Sequence, residues 1–185
     1  MRPAIFFKDG RLQTLGIKFY KRLGLMRAID LKEKSLKGLV EIDAGGGMIV
    51  VPRKLFLKIL FDECLPFGYE DLDFTLRIKK MGYRVVTVSD VMVIHYKNHK
   101  EVENASGNAI LKRFFNGRNQ IVFHYRHGGS FSALIRFYIG LIQSFVRIVR
   151  SLLRNRKVDA VLEAYCVIGL LYGIYRIKWC SAHVR

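Results

Sequence analysis

The sequence predicts an α/β fold followed by a helical tail. Residues 39–95 contain a strand pattern, a helix pattern and two further strand patterns, an order that is typical of a sheet with flanking helices. Near Phe131 the composition changes, and a long apolar helix pattern with a narrow basic stripe begins. The length of 185 residues suits one domain with an appended segment. We therefore place the α/β domain in residues 1–128 and the tail in residues 129–185.

The charge of the chain predicts a polyanionic partner. The formal net charge is +17 at pH 7, so the candidates are nucleic acid, an anionic membrane surface or a phosphorylated substrate. Hydrophobic residues make up 51% of the chain, which excludes a disordered protein and, together with the charge, favours a membrane surface. The three cysteines are widely spaced and form no CxxC pair, which argues against a structural zinc site and a disulfide framework.

The first half of the domain contains short elements. An apolar run at residues 3–8 ends at the turn pair Asp9-Gly10, and residues 11–40 have the pattern of a loop with short elements. Residues 45–47 are three glycines, followed by the β-branched run MIVV, which predicts a strand entered where the backbone lies close to another group. Pro52 ends that strand, and RKLFLKIL predicts a short helix.

A helix is predicted from Glu70 to Met81, with Gly82 at the position of a C-terminal capping glycine. Its apolar side chains lie on two faces, which is typical of a helix packed between layers. Asp73 and Arg77 are four residues apart with the acid first, the favourable order for an ion pair.

The segment YRVVTVSDVMVIHYK predicts two strands separated by a turn at Ser89-Asp90, the second ending at His95. Residues 98–108 are polar and have the pattern of a loop. A further helix is predicted from Ala109 through the segment LKRFFNGRNQIVFHYRH.

The tail predicts a helix that lies in the plane of a membrane surface. In the segment LIRFYIGLIQSFVRIVRSLLR, five polar side chains fall within one narrow arc of the helix, namely Arg136, Gln143, Arg147, Arg150 and Arg154. A narrow basic stripe on a broad apolar body is typical of interfacial helices. A core helix with one solvated face is the alternative, and a spanning helix is disfavoured by the recurring arginines. A second apolar stretch follows the basic break RNRK.

Three acidic residues, Glu70, Asp71 and Asp73, crowd into four positions of this basic chain. Carboxylates in such a cluster have three uses: helix-end charges and ion pairs, ligands for a hard cation, or a general base. His95 closes an apolar strand, and the ends of strands in α/β sheets are where binding and catalytic sites collect. The cluster, the glycine triplet and His95 together indicate a functional site more specifically than any one of them does.

The stretch GGGMIVVPRKLFLKILFDECLPFGYEDLDFTLRIKKMGYRVVTVSDVMVIHYKN resembles the C-terminal half of family 2 glycosyltransferases, which have the GT-A fold. The rhamnosyl- and galactofuranosyl-transferase-like branch is the most similar. The shared features are a small-residue strand entry, an FDE tripeptide, a pattern xEDxDxxxRxxxxGY and an apolar run ending in His. FFKDGRLQTLG and LKRFFNGRNQIVFHYRH resemble the flanking segments, so that the resemblance covers residues 3–127.

The resemblance implies a C-terminal half of a GT-A-type mixed sheet with flanking helices, and it assigns roles to individual residues. Asp71 matches the catalytic base of an inverting transfer, with Glu70 as its orienting neighbour. Residues 45–47 would let the backbone approach the sugars. His95 matches a position that in some members binds the divalent cation, Mn²⁺ or Mg²⁺, that holds the donor diphosphate. Asp73 and Arg77 would form a structural ion pair.

The sequence differs from the family pattern in one respect, the nucleotide-binding half. Family members place a nucleotide-binding half with an Asp-x-Asp metal motif before this region, and the only nearby Asp-x-Asp here, Asp71-Leu72-Asp73, belongs to the acceptor motif. We therefore expect an acceptor-side part, a truncated form or one piece of a split enzyme, without independent activity. The implied ligands are a nucleotide-sugar donor and a cell-surface glycan or lipid-linked acceptor.

The basic tail and the lipid-linked acceptor together imply a location at the cytoplasmic face of the cell membrane. The tail would be peripheral or embedded through one or two helices. A non-catalytic membrane-surface adaptor of the same fold is the alternative function. A nucleic-acid-binding protein is a further alternative, because the basic and aromatic stretch RFFNGRNQIVFHYRH has the composition of a single-strand binder. No fold signature of such proteins occurs, so nucleic acid is not the expected partner.

Overall fold

The structure is a computed structural model that describes residues 1–29, 38–96 and 109–182. The chain forms two compact units. The sheet unit comprises the described parts of Met1–Phe19, Met26–Phe61 and Asp71–Asn104. The helical unit comprises those of Tyr20–Leu25, Asp62–Glu70 and Ala105–Arg185. The predicted boundary between residues 128 and 129 concerns a family domain and stays a prediction.

The strands form a four-stranded mixed sheet and a separate two-stranded sheet. Their bounds are Arg2–Phe7 (β1), Leu12–Thr14 (β2), Gly16–Tyr20 (β3), Leu25–Ile29 (β4), Leu39–Glu41 (β5) and Val86–His95 (β6). The larger sheet has the order β2-β1-β6-β5. In it β1 runs parallel to β6, whereas β2 and β5 are antiparallel to their neighbours. The smaller sheet pairs β3 with β4. The predicted mixed α/β class is therefore confirmed at this level.

The helices are Arg53–Phe56 (α1), Glu70–Lys80 (α2), Ala109–Leu153 (α3) and Lys157–Ala182 (α4), and a 3₁₀ turn spans Lys21–Leu23. Gly129 interrupts α3, because its φ of 82° and ψ of −179° are not helical. The helices expected from Glu70 and from Ala109 are confirmed, and the tail is helical as predicted. The helix predicted over RKLFLKIL is limited to the single turn α1, and the residues after it form turns.

The core of the sheet unit lies between α2 and the sheet. Phe74 and Ile78 of α2 are buried against Ala4, Leu15 and Ile42. The ring of Phe74 stacks on Phe61 with centroids 4.7 Å apart. As predicted, α2 is apolar on more than one face and ends before Gly82, whose φ of 87° is the left-handed conformation of a capping glycine.

The run MIVV at residues 48–51 is not a strand, contrary to prediction. Its backbone runs beside the first residue of the chain, where Val50 donates to the Met1 carbonyl at 2.8 Å and accepts from the Met1 nitrogen at 2.8 Å. Pairing goes no further, because Gly47 turns the chain before it with a φ of 88° and Pro52 after it has no N–H to donate. Residues 48–51 therefore have the composition of a strand but do not pair along the edge of a sheet.

The two strands predicted around Ser89-Asp90 are one continuous strand, β6. The pairing with β1 is shifted at this point: Pro3 lies opposite Val88, whereas the next residue, Ala4, lies opposite Met92. The extra residues form a bulge in β6. A polar Ser-Asp pair suits a bulge as well as it suits a turn, because both leave backbone groups outside the regular ladder.

The helical unit is built on a close crossing of α3 and α4. A β-carbon placed on Gly117 would lie 2.1 Å from the Cys166 carbonyl oxygen, and one placed on Gly169 would lie 2.0 Å from that of Phe114. Gly169 and Gly173 form a GxxxG pattern, which lets helix backbones approach closely and is frequent in membrane helix pairs.

Candidate functional site

The carboxylate of Asp71 lies against the glycine triplet. Its Oδ2 accepts a hydrogen bond from the Gly47 N–H at 3.0 Å, and its Oδ1 accepts one from the Leu72 N–H at 2.8 Å. A β-carbon on Gly46 would fall 1.7 Å from Oδ2, so a residue with a side chain would displace the carboxylate. The structure thus brings together the acid and the triplet that the sequence singled out. Each carboxylate oxygen keeps a lone pair for another ligand.

Thr75 fixes the triplet to α2 one turn after Asp71. Its hydroxyl oxygen accepts from the Gly45 N–H at 3.2 Å, and the hydroxyl lies 2.9 Å from the Asp71 carbonyl oxygen. Thr75 is buried, so these bonds are shielded from water. The distance between Asp71 and the glycine backbone is therefore held from two sides, by the carboxylate itself and by the threonine.

Arg2 supplies a buried positive charge beside this arrangement. It is 3% exposed, and a β-carbon on Gly45 would come within 2.7 Å of its Cδ and Nη1. Burial lowers the pKa of Arg2, while the negative charge of Asp71 acts in the opposite direction. Arg2 is not among the site residues that the sequence predicts. The available signal was an arginine at the start of the apolar run RPAIFF, a position where a solvated side chain is not expected.

Glu70 is half-buried at the first position of α2, and its Oε2 is buried without a hydrogen-bond partner. Its predicted role as orienting neighbour stays a prediction. Asp73 forms an ion pair with Arg77, with Nε 2.7 Å from Oδ2 and the carboxylate fully buried. Arg77 also donates to the Leu60 carbonyl at 2.7 Å. The pair therefore braces α2 against the segment that follows α1.

The loop that leads into α2 has an unusual backbone. Phe67, Gly68 and Tyr69 have positive φ values of 61°, 130° and 73°. A positive φ costs a residue with a side chain about 1–3 kcal/mol, and such strain persists only where the surroundings impose it. The strained backbone therefore lies directly before the acidic pair Glu70-Asp71 in the chain.

Two neighbouring side chains of α3 hold this loop. Asn119 is fully buried, and its Nδ2 donates to the carbonyls of Pro66 at 2.6 Å and Gly68 at 2.8 Å. Arg118 donates from Nη1 to the carbonyl of Cys64 at 2.7 Å and to Asn119 Oδ1 at 2.9 Å. We name Arg118 and Asn119 the loop clamp. The resemblance covers this Arg/Asn-rich helix, but no sequence signal predicts the role of either residue.

A second set of contacts anchors the two ends of the same loop. Arg126 Nη1 lies 2.5 Å from Asp62 Oδ2, and both side chains are nine-tenths buried. The ring of Tyr69 packs on Phe123 with centroids 5.2 Å apart, and burial raises the pKa of Tyr69. The loop is therefore fixed at its start, along its carbonyls and at its end.

His95 is the last residue of β6, where it pairs with Phe7 of β1. Its Nδ1 is buried and has no hydrogen-bond partner. Among residues 1–29, 38–96 and 109–182, no three His, Cys, Asp or Glu side chains are grouped so that they could hold a metal ion. These residues do not by themselves fit a divalent cation, and the predicted Mn²⁺ or Mg²⁺ stays a prediction about a complete enzyme.

Comparison with known proteins gives no family. No protein-family model matches this chain. A search of curated proteins finds none that is similar to it. The resemblance to glycosyltransferases therefore depends on the motifs in the sequence alone.

Proposed function

We propose that this chain is the acceptor-side part of an inverting glycosyltransferase of the GT-A class. The observation that carries the proposal is the placement of Asp71. Its carboxylate accepts a hydrogen bond from the Gly47 N–H at the start of α2 and occupies the space that a side chain on Gly46 would need. A general base needs such a fixed position, because proton transfer requires hydrogen-bond contact with the acceptor hydroxyl.

The proposed reaction is a single displacement. An Asp71 carboxylate oxygen takes the proton of an acceptor hydroxyl while that oxygen forms a bond to the anomeric carbon of the donor sugar. The bond from the anomeric carbon to the diphosphate oxygen breaks, and its electron pair leaves with the nucleotide diphosphate. One displacement inverts the configuration at that carbon. Glu70 would flank the base, and the backbone of residues 45–47 would face the sugars.

A second segment or a separate chain would supply the nucleotide site and most ligands of a divalent cation, to which His95 would add one. The cation would neutralise the leaving diphosphate. The role of Asp71 as general base is the same whether the donor site comes from a second segment or from a separate chain.

A membrane location is supported by the surface of the helical unit. Seven apolar side chains, spaced three or four residues apart on the second half of α3, are between 39% and 67% exposed: Phe131, Leu134, Tyr138, Ile142, Phe145, Val149 and Leu152. At 1.5 Å per residue this stripe is about 32 Å long, close to the thickness of about 30 Å of a bilayer core. Ala109–Leu153 and Lys157–Ile177 are long and apolar enough to cross a membrane, which is weak evidence for membrane association.

The polar side chains of α3 are partly used inside the helical unit. Arg136 donates to Gln120 at 2.7 Å, and Arg147 lies 3.5 Å from the buried Glu163 of α4, which Arg113 also approaches to 3.3 Å. The predicted basic arc therefore does not face solvent along its whole length. Pairing of charges is what permits such residues near lipid. We propose that the apolar stripe contacts lipid and that the exposed arginines beyond it meet anionic headgroups on the cytoplasmic face.

The test is sugar transfer that depends on this chain, measured in membranes of the cells that produce it naturally, where a separate donor-binding partner is also present. Membranes are incubated with a panel of labelled nucleotide-sugars, and label is measured in the lipid and polysaccharide fractions. We expect Asp71→Asn to reduce transfer by about 10²–10⁴-fold, the usual contribution of a general base. Glu63→Gln, a change at an exposed carboxylate in the same region, is the matched control and should leave transfer unchanged.

Two results would contradict the proposal. One is the absence of transfer from every donor in wild-type membranes that contain the folded chain. The other is a rate in Asp71→Asn equal to that in Glu63→Gln. Membrane binding without any transfer would instead favour the non-catalytic adaptor.

A further inference from the structure

The sheet unit contains a cavity of about 420 Å³. This volume is within the range of about 300–1,000 Å³ that is typical of small-molecule sites. Most of its wall is apolar and comes from the segment after the glycine triplet, from α1 and α2 and from the segment before β6, including Ile49, Val51, Leu55, Ile78 and Val85. The cavity is therefore suited to an apolar body of modest size.

Arg2 contributes a buried guanidinium to the wall of this cavity. Its Nη2 makes one long hydrogen bond, 3.4 Å from the Thr14 carbonyl oxygen. Its Nε and Nη1 are buried and have no hydrogen-bond partner. The charge of Asp71 acts on Arg2, but no hydrogen bond satisfies these nitrogen atoms. Buried charged donors are normally paired with acceptors. Nε and Nη1 of Arg2 therefore could each donate a hydrogen bond to a ligand.

Arg2 and its neighbour Gly45 line the cavity together. Nη1 lies beside Gly45, which also lines the cavity and whose missing side chain makes room for the guanidinium. Thr75 adds a hydroxyl to the same part of the wall. Polar groups are thus gathered at one place in a cavity that is otherwise mainly apolar, the usual composition of a site that orients an amphiphilic ligand.

We propose that this cavity binds a small amphiphilic anion, a carboxylate or a phosphate monoester on an apolar body. The anionic group accepts hydrogen bonds from Arg2, and the apolar body packs on Ile49, Val51 and Leu55. Guanidinium groups suit both anions, because their fixed N–H donors match the oxygens of carboxylates and phosphates. The inference depends on the cavity and its unpaired donors and does not require sugar transfer.

The test uses octanoate, octyl phosphate and octanol as probes and the purified full chain in detergent micelles, with empty micelles as the blank. Equilibrium dialysis measures binding of each labelled probe. We expect saturable binding of one or both anions at least about tenfold tighter than that of octanol, since hydrogen bonds to a charged group contribute a factor of this order. The two anions together show which headgroup is preferred.

Three variants locate the site. Arg2→Met removes the charge at similar length and should weaken anion binding by about tenfold or more. Arg11→Met removes an arginine that is 68% exposed and paired with Asp9, so it is the matched control and should bind as wild type does. Val51→Trp keeps Arg2 but fills the cavity, and it should abolish binding of the anions.

The proposal fails if octanol binds as tightly as the anions, if no probe binds saturably, or if Arg2→Met and Arg11→Met bind equally. Circular dichroism and the unfolding midpoint of each variant show that it is folded. Removal of a buried charge that makes only one long hydrogen bond is not expected to destabilise the chain. If Arg2→Met nevertheless fails to fold, Val51→Trp decides, because unchanged anion binding in a filled cavity would overturn the assignment.

Discussion

Replacing Asn119 with alanine should release the loop that precedes the acidic pair. Asn119 makes three hydrogen bonds in the helical unit: two from Nδ2 to the carbonyls of Pro66 and Gly68, and one that Oδ1 accepts from Arg118. The side chain is fully buried, so water does not replace these partners in the folded chain. The substitution removes all three bonds and shortens a buried side chain.

The expected loss of stability follows from these contacts. A hydrogen bond contributes about 0.5–1.5 kcal/mol net, and a buried group left without its partner costs about 1–3 kcal/mol. The loop carries strain at Phe67 and Tyr69, and its relaxation would recover part of the loss. We therefore expect Asn119→Ala to lower the free energy of unfolding by about 2–4 kcal/mol.

Urea unfolding in detergent micelles measures this difference. Trp179, the single tryptophan of the chain, lies on α4 in the same unit and reports unfolding by its fluorescence. Limited digestion with chymotrypsin gives a local readout, because Phe67 and Tyr69 become cleavable once the loop opens. We expect faster cleavage there in Asn119→Ala. The matched control is Asn116→Ala, the same change at an exposed position of the same helix, which should stay within about 0.5 kcal/mol of wild type.

The reasoning would be refuted by equal stabilities of the two variants together with equal cleavage of the loop. That result would mean that the conformation of residues 67–69 is maintained without the loop clamp. Loss of stability without faster cleavage would place the effect in the packing of α3 instead.

Three further outcomes are expected. Asp73→Ala should lower the free energy of unfolding by about 3–5 kcal/mol, measured by urea unfolding, because it leaves the largely buried Arg77 without its carboxylate. Asp43→Asn should reduce the loss of stability in acid. Burial raises the pKa of Asp43, but hydrogen bonds from Lys79 and a backbone N–H outweigh this effect and hold it below its usual value. Its contribution is therefore present above the unfolded pKa of about 3.9 and is lost as the pH falls through the folded value, which unfolding curves at several pH values measure. Phe145→Glu should weaken retention in membranes, measured by carbonate extraction, because a charge in the apolar stripe costs about 2.5–3.5 kcal/mol in a bilayer core.

Exposed positions provide the controls for these variants. Asp90 is exposed, so Asp90→Ala and Asp90→Asn should leave stability and its acid dependence near wild type. Met92 is 68% exposed on the sheet unit, and Met92→Glu should leave membrane retention unchanged. Equal behaviour of a test variant and its control would contradict the corresponding prediction.

The helices were predictable because their signals are local. The period of apolar residues between Glu70 and Lys80, the acid-first pair at Asp73 and Arg77, and the capping Gly82 all act within a few residues of one another. The helical character of Ala109–Leu153 was predictable for the same reason, and Gly129 breaks the helix between the two helix patterns that the sequence predicts.

Strand pairing was less predictable because it depends on partners that are distant in sequence. MIVV has strand propensity but no edge to extend along, and Ser89-Asp90 forms a bulge because β1 continues the pairing on both sides of it. The triplet of glycines was correctly expected to lie close to another group. That this group is the Asp71 carboxylate follows only from the packing of α2.

The sequence by itself determined the helices, the mixed α/β class, the acidic pair and the apolar tail, because each of these depends on neighbours along the chain. The tertiary structure alone decided that Arg2 lies buried beside Asp71, and that Asn119 holds a loop more than 50 residues away in sequence. Such contacts have no local signal, because a buried arginine or asparagine has the same letter as an exposed one. Only the folded chain shows which polar groups have left water and which partners they have found.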